Sequence, residues 1–325
     1  MFHNIEHYRV LDNNFHHGLK PFTNELTVWD KEKGEPYRII TNSLGFADSE
    51  PRKVPLKKEK KRILFMGDSF IEGVGYPWEE TVAGIISPKL AKEGIELLNG
   101  SVASYSPKIY WLKTKYFIDR GLEIDELYVF IDISDIIDEV VYDYFVPQTF
   151  SKIREKLEPV VHFFSKNSYS FRSYQLATAI YQENPYNEHG PFWGGLRNFY
   201  HLKPQWTFNE ESLEIYGNKG IELAKKHMIE IEKLCKEKGI KLTIVVWPWH
   251  VNLIGKHGRK NLHLWEEFAT EREIGFIQLY DLFEQVPSES INDYFIFQDI
   301  HWSKKGNLFV ADYLWAEMKK NLKIP

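Results

Sequence analysis

Residues 63–70 read Ile-Leu-Phe-Met-Gly-Asp-Ser-Phe, an apolar run that ends in a glycine and two polar residues. Four consecutive apolar residues bounded by glycine are typical of a buried strand. Similar runs follow at 95–98 and 127–131, and helical patterns at 79–92 and 109–119 separate the three strands. Strands that alternate with helices pair in parallel through right-handed crossovers. We therefore predict an α/β fold whose parallel sheet begins with this stretch.

The strand–helix pattern is interrupted between about 140 and 210, where Tyr, Phe, Asn and Pro are frequent. We interpret this stretch as an inserted cap or lid. The pattern resumes with a helix over 212–238, strands over 242–246 and 276–279, and a closing helix over 304–320. The sequence thus predicts a doubly wound, five-stranded sheet.

Residues 1–60 are irregular in pattern and are followed by the start of the sheet, so we predict two parts. The first is an N-terminal extension, 1–60, that packs on the core, and the second is an α/β domain, 61–325, that carries the insertion. The basic run over 52–62 is interpreted as a solvated linker.

The composition excludes several classes of protein. The chain has 325 residues, with 41 Lys and Arg against 46 Asp and Glu, a net charge of −5. This balance excludes a strongly basic nucleic-acid binder and a disordered chain. The single cysteine, Cys235, excludes a disulfide framework and a cysteine-based zinc site. No Walker, dinucleotide or zinc-helix motif is present, so we predict no cofactor and no metal.

The N-terminal sequence is not a secretory leader, and no apolar run is long enough to span a bilayer. Two locations follow from this. The protein is cytoplasmic if the chain is full length, or extracytoplasmic if an anchor preceded Met1. The oligomeric state is left open.

Polar residues follow the ends of the predicted strands. Ser69 comes directly after the first strand, Gly100 after the second, and Asp299 and His301 precede the closing helix. Ligands of an open parallel sheet bind outside the carboxyl ends of its strands, so these segments should converge. A hydroxyl, an imidazole, a carboxylate and backbone donors are the groups that nucleophilic acyl transfer requires.

Each of these residues has an expected role. His301 is the candidate base for the weakly nucleophilic Ser69 hydroxyl, and Asp299 would orient the imidazole. The backbone N–H groups of Ser69 and Gly100 are candidates for the oxyanion hole. A lone serine or histidine at such a position is more often structural. The Asp-x-His spacing and the shared sheet edge favour the catalytic interpretation.

Three blocks of the chain resemble the SGNH (GDSL-type) hydrolase family. Gly67-Asp68-Ser69-Phe70 is similar to its first block, Asn99-Gly100 to its second, and Asp299-Ile300-His301 to its last. The resemblance implies the flavodoxin-like three-layer α/β/α sandwich of that family, and the roles just given to the site residues. The family has one further block, Gly-x-Asn-Asp, whose Asn donates to the oxyanion. The matching stretch here is Asp132-Ile133-Ser134-Asp135, with Ser134 in place of that Asn. Ser134 is therefore either a third oxyanion donor or a helix cap. An α/β-hydrolase is disfavoured, because residue 71 is Ile where the nucleophile elbow requires Gly.

A narrower resemblance, to a bacterial SGNH subgroup, is carried by four further segments. They are 15–21, 41–46, 104–107 and 130–135. Such proteins are often membrane-anchored and linked to envelope polysaccharides. This resemblance implies a polysaccharide or small-molecule substrate and a removed N-terminal anchor.

Several other residues are candidates for binding, each with a structural alternative. Trp247, His250 and Trp302 lie near strand-end loops and, with Asp68, could contact substrate or simply pack. The acidic residues Asp132, Asp135, Asp138 and Glu139 are interpreted as helix-start acids in preference to a metal site. His16 and His17 could line a site, and Arg172 and Arg197 in the insertion could bind an anionic group.

Three functions remain open at this point. The leading hypothesis is an acetylesterase or O-acetyltransferase that acts on carbohydrate O-acetyl groups through an acyl-Ser69 intermediate. The second is a lipid-type esterase or thioesterase. The third, prompted by Ser134, is a non-catalytic glycan-binding protein with an SGNH-like fold.

Overall fold

The computed structural model describes residues 8–29, 35–147, 203–255 and 257–324. Two antiparallel hairpins come first. The first pairs β1 (Arg9–Asp12) with β2 (His16–Leu19), and the second pairs β3 (Asn24–Thr27) with β4 (Tyr37–Ile40). In β4 every second residue is buried, which is the period of a strand with one face on a core.

A five-stranded parallel sheet forms the centre of the molecule. Its strands are β5 (Lys61–Met66), β6 (Ile95–Asn99), β7 (Glu126–Ile131), β8 (Lys241–Val246) and β9 (Gly275–Gln278). They lie in the order β6-β5-β7-β8-β9, which is the flavodoxin-like arrangement. The predicted parallel sheet is therefore confirmed, and its central strands β5, β7 and β8 are buried on both faces, as their unbroken apolar runs indicate.

Helices cover both faces of this sheet. They are α1 (Ser69–Glu72), α2 (Val82–Lys92), α3 (Pro107–Asp119), α4 (Asp135–Tyr142), α5 (Asn218–Lys238), α6 (His250–Ile254), α7 (Lys260–Glu271), α8 (Tyr280–Glu284) and α9 (Lys304–Leu322). Helix α2 packs against α9, whereas α3 and α4 pack against α5. This gives the three-layer α/β/α sandwich expected from the sequence.

Helix starts differ from the sequence-based expectations for local reasons. The predicted helix over 79–92 begins at Val82, because Trp78–Glu80 forms a 3₁₀ turn and the Thr81 hydroxyl caps α2 at Gly84 N. The predicted helix over 212–238 opens with a π-helical turn, Leu213–Gly217. Helix α7, between β8 and β9, was not expected from the sequence.

The N-terminal segment contributes to the core of the sandwich. Tyr8, Phe15, Leu19 and Phe46 are buried in the same apolar cluster as the central strands. Ala47 forms an isolated bridge with Asn99 at the end of β6. These contacts place residues 8–29 and 35–54 against the edge of the sheet where the strands β5 and β6 end.

Much of the expected insertion, with Arg172 and Arg197, lies outside the described residues. Of the flanking residues, Lys203 and Trp206 pack back onto the core, since Lys203 pairs with Asp138 and the Trp206 indole donates to Ile133 O. Across the described ranges, the helices are too short or too polar to cross a bilayer.

Candidate active site

Ser69 is the first residue of α1, immediately beyond the end of β5. Asp68 caps this short helix, because its Oδ1 accepts the Phe70 N–H at 3.0 Å. Gly67 permits the sharp turn, since a Cβ there would lie 2.9 Å from the Cβ of Phe130 on the neighbouring strand. The Gly-Asp-Ser run therefore places the serine at the carboxyl edge of the sheet.

His301 and Asp299 lie in a tight loop before α9. Phe295 and Trp302 form an antiparallel bridge at the base of the loop, and Ile296 N donates to His301 O at 2.8 Å. The backbone N–H of His301 also donates to Asp299 Oδ1 at 2.9 Å. The Asp-x-His spacing thus fixes the carboxylate under the imidazole of the same loop.

The three predicted catalytic side chains form one hydrogen-bonded chain. The Ser69 Oγ lies 2.7 Å from His301 Nε2, and His301 Nδ1 lies 2.5 Å from Asp299 Oδ1. A carboxylate can only accept here, so Nδ1 carries the proton and Nε2 is free to accept from the serine hydroxyl. Ser69 is 8% exposed and His301 is 3% exposed, so the pair is largely shielded from water.

Asp299 is held in its charged form. Burial by itself would raise the pKa of this carboxyl, but the charge and hydrogen bonds of His301 hold the pKa below its ordinary value. The Trp29 indole contributes in the same direction by donating to Asp299 Oδ2 at 3.0 Å. Trp29 was not recognised from the sequence, because nothing local links it to a residue so far along the chain.

The backbone donors at the end of β6 differ from the expectation. Gly100 N donates to Phe65 O at 2.9 Å, as the ladder between β5 and β6 requires, so it is not free to bind an oxyanion. A Cβ at Gly100 would lie 3.0 Å from Met66 Cε, so packing accounts for the glycine. The expectation that Gly100 is a donor is therefore wrong.

The loop after Gly100 offers another donor. The N–H groups of Ser101, Val102, Ala103 and Tyr105 all have partners, whereas that of Ser104 has none among the described residues. Ser104 is a non-glycine residue at φ 62°, a strained conformation that turns its N–H away from its neighbours. The Ser69 N–H is likewise without a partner in the described part of the chain. These two amides are the candidates for an oxyanion hole.

Ser134 has a different partner from the one expected. Its hydroxyl donates to Asp132 Oδ2 at 2.6 Å, and its N–H faces the same oxygen at 3.3 Å. The hydroxyl proton is therefore engaged within the protein, and Ser134 does not serve as an oxyanion donor. Its side chain does not cap α4 either, so neither of the two alternatives from the sequence holds.

Asp68, Asp132 and Asp135 form a buried group of three carboxyls behind Ser69. One oxygen of each lies within 4.8 Å of the others, so they are the described residues that could hold a metal ion. Hydrogen bonds already reach this group, because the Trp249 indole donates to Asp132 Oδ1 at 2.5 Å and the Tyr110 hydroxyl to Asp135 Oδ2 at 2.9 Å.

Burial and the neighbouring charges raise the pKa of two of these three carboxyls. Burial first, and then the charge of Asp132, hold the pKa of Asp68 well above its ordinary value. Burial and the charges of Asp68 and Asp132 raise the pKa of Asp135 in the same way. Asp68 caps the helix, belongs to this group and has its Oδ2 at 3.4 Å from Ser69 Oγ, and its contact with substrate stays a prediction.

Trp247 and Trp302 were expected near substrate, and both are instead buried. Their exposures are 0% and 2%, and their rings pack on each other and on Phe70. The Phe70 ring in turn contacts His301, with ring centroids 4.9 Å apart. The two tryptophans therefore form the wall behind the imidazole. His250 begins α6, half-buried, and its ring lies 5.3 Å from that of Phe295.

The acidic residues of α4 are structural. Asp138 lies in the first turn and pairs with Lys203 at 2.8 Å. Glu139 accepts from the Ser106 hydroxyl and lies 2.7 Å from His227 Nδ1. The interpretation of Asp135 and Asp138 as helix-start acids is consistent with these positions, but Asp132 precedes the helix.

His16 and His17 lie apart from the triad, in a relay of their own. His17 Nε2 lies 2.9 Å from Ala103 O, so this nitrogen is the donor. His17 Nδ1 is then the acceptor for His16 Nδ1, which lies 2.7 Å away. Burial lowers the pKa of His16 to about 4, so this ring, like that of His17, is neutral near pH 7. Burial is the main cause that lowers the pKa of His17 to about 3.

We expect this neutral histidine to make the protein sensitive to mild acid. The pKa of His17 is lower in the folded than in the unfolded chain, so the unfolded chain binds more protons below pH ~6.5. Stability therefore falls as the pH falls from ~6.5 towards 3, by about 2 kcal/mol at pH ~5 for this one residue.

Urea unfolding of wild type and His17→Gln at pH 7.5 and pH 5 checks this expectation. Glutamine can still donate to Ala103 O but does not titrate, so the variant should lose less stability between the two pH values. An equal loss in both proteins would contradict a neutral, buried His17. His263→Gln, at an exposed position on α7, is the matched control.

No family model matches the sequence, and no curated protein matches it. Among solved structures, the chain is similar to the psychrotrophic esterase EstA from Pseudoalteromonas sp., at 10% identity and a TM-score of 0.46, covering 81% of this chain and 99% of that one.

Two other similar structures have comparable values. A GDSL-like lipase from Bacteroides thetaiotaomicron has 12% identity and a TM-score of 0.45, covering 82% of this chain and 93% of that one. The acetyl xylan esterase AlAXEase has 13% identity and a TM-score of 0.45, covering 79% and 98%. Sequence identities of 10–13% and TM-scores of 0.45–0.46 do not show the function of this chain.

Proposed function

We propose that this protein is a serine-dependent acyl-transfer enzyme that works through an acyl-Ser69 intermediate. The observation that carries the proposal is the chain of hydrogen bonds from Ser69 Oγ through His301 to Asp299, at 2.7 and 2.5 Å. An imidazole placed between a hydroxyl and a carboxylate is the arrangement that activates a serine.

The reaction follows from this geometry. His301 Nε2 takes the proton of Ser69 as Oγ attacks the ester carbonyl, and Asp299 stabilises the imidazolium that forms. The oxyanion of the tetrahedral intermediate receives hydrogen bonds from the N–H groups of Ser69 and Ser104. His301 returns the proton to the leaving alcohol, which leaves the acyl group on Ser69. A second hydroxyl, from water or from a sugar, then takes the acyl group by the reverse steps.

We further propose that the substrate carries small O-acyl groups, such as the O-acetyl groups of a carbohydrate. Ser69 is nearly buried, which favours a short acyl group. The rim of the site carries aromatic surface: Phe297, on the loop of Asp299, is 78% exposed, and Trp29 lies beside His301. An aromatic face offers a sugar ring a broad apolar contact.

Labelling tests the nucleophile. A fluorophosphonate should add once to the full chain, and peptide mapping should place the adduct on Ser69. His301→Gln should label much more slowly, since its serine has no base. A wild-type chain that stays unlabelled would contradict the proposal and favour a non-catalytic glycan-binding role.

A series of p-nitrophenyl esters tests the acyl group. We expect kcat/KM to fall by about tenfold or more from acetate to octanoate, because each misplaced methylene in a tight pocket opposes binding by about 1–3 kcal/mol. The exposed ring of Phe297 would instead favour a long acyl chain. A rise of kcat/KM with chain length would overturn the acetyl proposal in favour of a lipid-type esterase or thioesterase.

Hydrolysis and transfer differ in the acceptor. With p-nitrophenyl acetate as donor, an oligosaccharide of β-linked glucose or xylose is added, and the acetylated sugar is measured by mass spectrometry. Acetylated sugar in excess over free acetate supports a transferase, whereas acetate alone supports an esterase.

A further inference from the structure

The carboxylate of Asp299 has a partner on each of its oxygens. Its Oδ1 accepts from the ring and the backbone of His301, and its Oδ2 accepts the Trp29 indole N–H at 3.0 Å. The indole also meets the imidazole of His301 edge-on, with ring centroids 5.1 Å apart and an interplanar angle of 84°. One side chain of the N-terminal segment therefore touches both the acid and the base.

We propose that Trp29 is a positioning residue of the active site, which holds the Asp299 carboxylate and the His301 ring in the orientation that activates Ser69. This inference rests on the proposed function. A carboxylate with one free oxygen can rotate about its Cβ–Cγ bond, whereas a donor on Oδ2 keeps Oδ1 directed at His301 Nδ1. The edge contact restricts the tilt of the imidazole in the same way.

The hairpin that carries Trp29 packs on the core of the molecule. It follows the end of β3 by two residues, and β3 is paired with β4, whose Tyr37 and Ile39 are buried in the core. A hydrogen-bond donor that contacts a functional side chain, as the Trp29 indole contacts Asp299, fixes the orientation of that side chain. The segment before β5 is thus part of the working site and more than a support for the fold.

The substitution Trp29→Phe keeps an aromatic ring and removes the donor. For p-nitrophenyl acetate we expect kcat to fall about tenfold, the range for loss of a hydrogen bond to a charged group, while KM stays within about twofold. Trp315→Phe, at a half-buried position on α9, is the matched control and should change none of these values.

An NMR measurement that needs no turnover tests the positioning role of Trp29 separately from the proposed function. The Nδ1 proton of His301 should give a downfield proton NMR signal, assigned by its absence in His301→Gln. In Trp29→Phe this signal should broaden or shift, because the carboxylate that accepts the Nδ1 proton is no longer held on its second oxygen. If wild type is inactive and unlabelled but the signal responds, the proposed function fails and the positioning role stands. If the signal and the kinetics of Trp29→Phe both match wild type, the positioning role is overturned.

Discussion

The substitution Ser69→Ala is expected to lower kcat for p-nitrophenyl acetate by at least about 10³-fold, as loss of a nucleophile does in enzymes of this type. Without Oγ, His301 Nε2 has no hydroxyl to deprotonate, and an acyl-enzyme cannot form. Initial rates at saturating ester, measured on the purified full chain, give the ratio directly. Fluorophosphonate labelling should disappear in parallel.

The fold should survive this change. The hydroxyl of Ser69 fills little volume, so the free energy of unfolding should stay within about 1 kcal/mol of wild type. Ser101→Ala is the matched control: Ser101 is also buried at a strand end, and its hydroxyl has no hydrogen-bond partner in the described ranges. It should retain wild-type kcat. Retention of more than about a tenth of the activity by Ser69→Ala would refute the acyl-serine mechanism.

The parts of this molecule that local sequence determines could be predicted. The apolar runs of β5 and β7 mark strands buried on both faces, because a parallel sheet covered by helices needs no polar alternation. The Asp-x-His spacing places Asp299 beside His301 within one loop. Ser69 joins them because parallel strands end at the same edge of the sheet.

The parts that depend on register or distant contacts could not be predicted. Gly100 is next to a site loop in sequence, but the pairing of β6 with β5 commits its N–H to Phe65 O. A strand-end position does not tell on which side a side chain lies, so Trp247 was expected in the site and is in the wall behind it. Trp29 meets Asp299 across 270 residues, and no pattern near either residue signals that contact.

The left-handed backbone conformation of Ser104 could not be predicted from its residue type. A positive φ is usually signalled by Gly or Asn, and serine gives no such signal. The neighbouring residue Ala103 holds Ser104 in this strained conformation. The N–H of Ala103 donates to Glu72 Oε2 at 2.6 Å, and its carbonyl faces His17. The N-terminal segment therefore reaches the candidate oxyanion loop as well as the triad.

The substitution Arg9→Met is expected to lower the free energy of unfolding by about 3–5 kcal/mol, because it leaves a buried carboxylate without its partner. Arg9 donates through both terminal nitrogens to Glu72, at 2.8 and 2.6 Å, and each side chain is only 1% exposed. The same Glu72 holds the Ala103 N–H, so loosening it should also disturb Ser104 and lower kcat. Urea unfolding and ester turnover measure the two effects.

A double-mutant cycle distinguishes a buried pair from a general loss of packing. Arg9→Met combined with Glu72→Gln removes both charges. The double mutant should therefore be more stable than Arg9→Met alone, although it still lacks the hydrogen bonds.

Arg52→Met is the matched control from the same segment. Its guanidinium is 29% exposed and pairs with Asp48 and Glu96, so we expect a loss of about 1 kcal/mol or less. If Arg9→Met and Arg52→Met lose equal stability, the Arg9–Glu72 pair does not hold the N-terminal segment in place. A larger loss at Arg9, relieved by Glu72→Gln, means that one ion pair joins this segment to both the fold and the loop that carries Ser104.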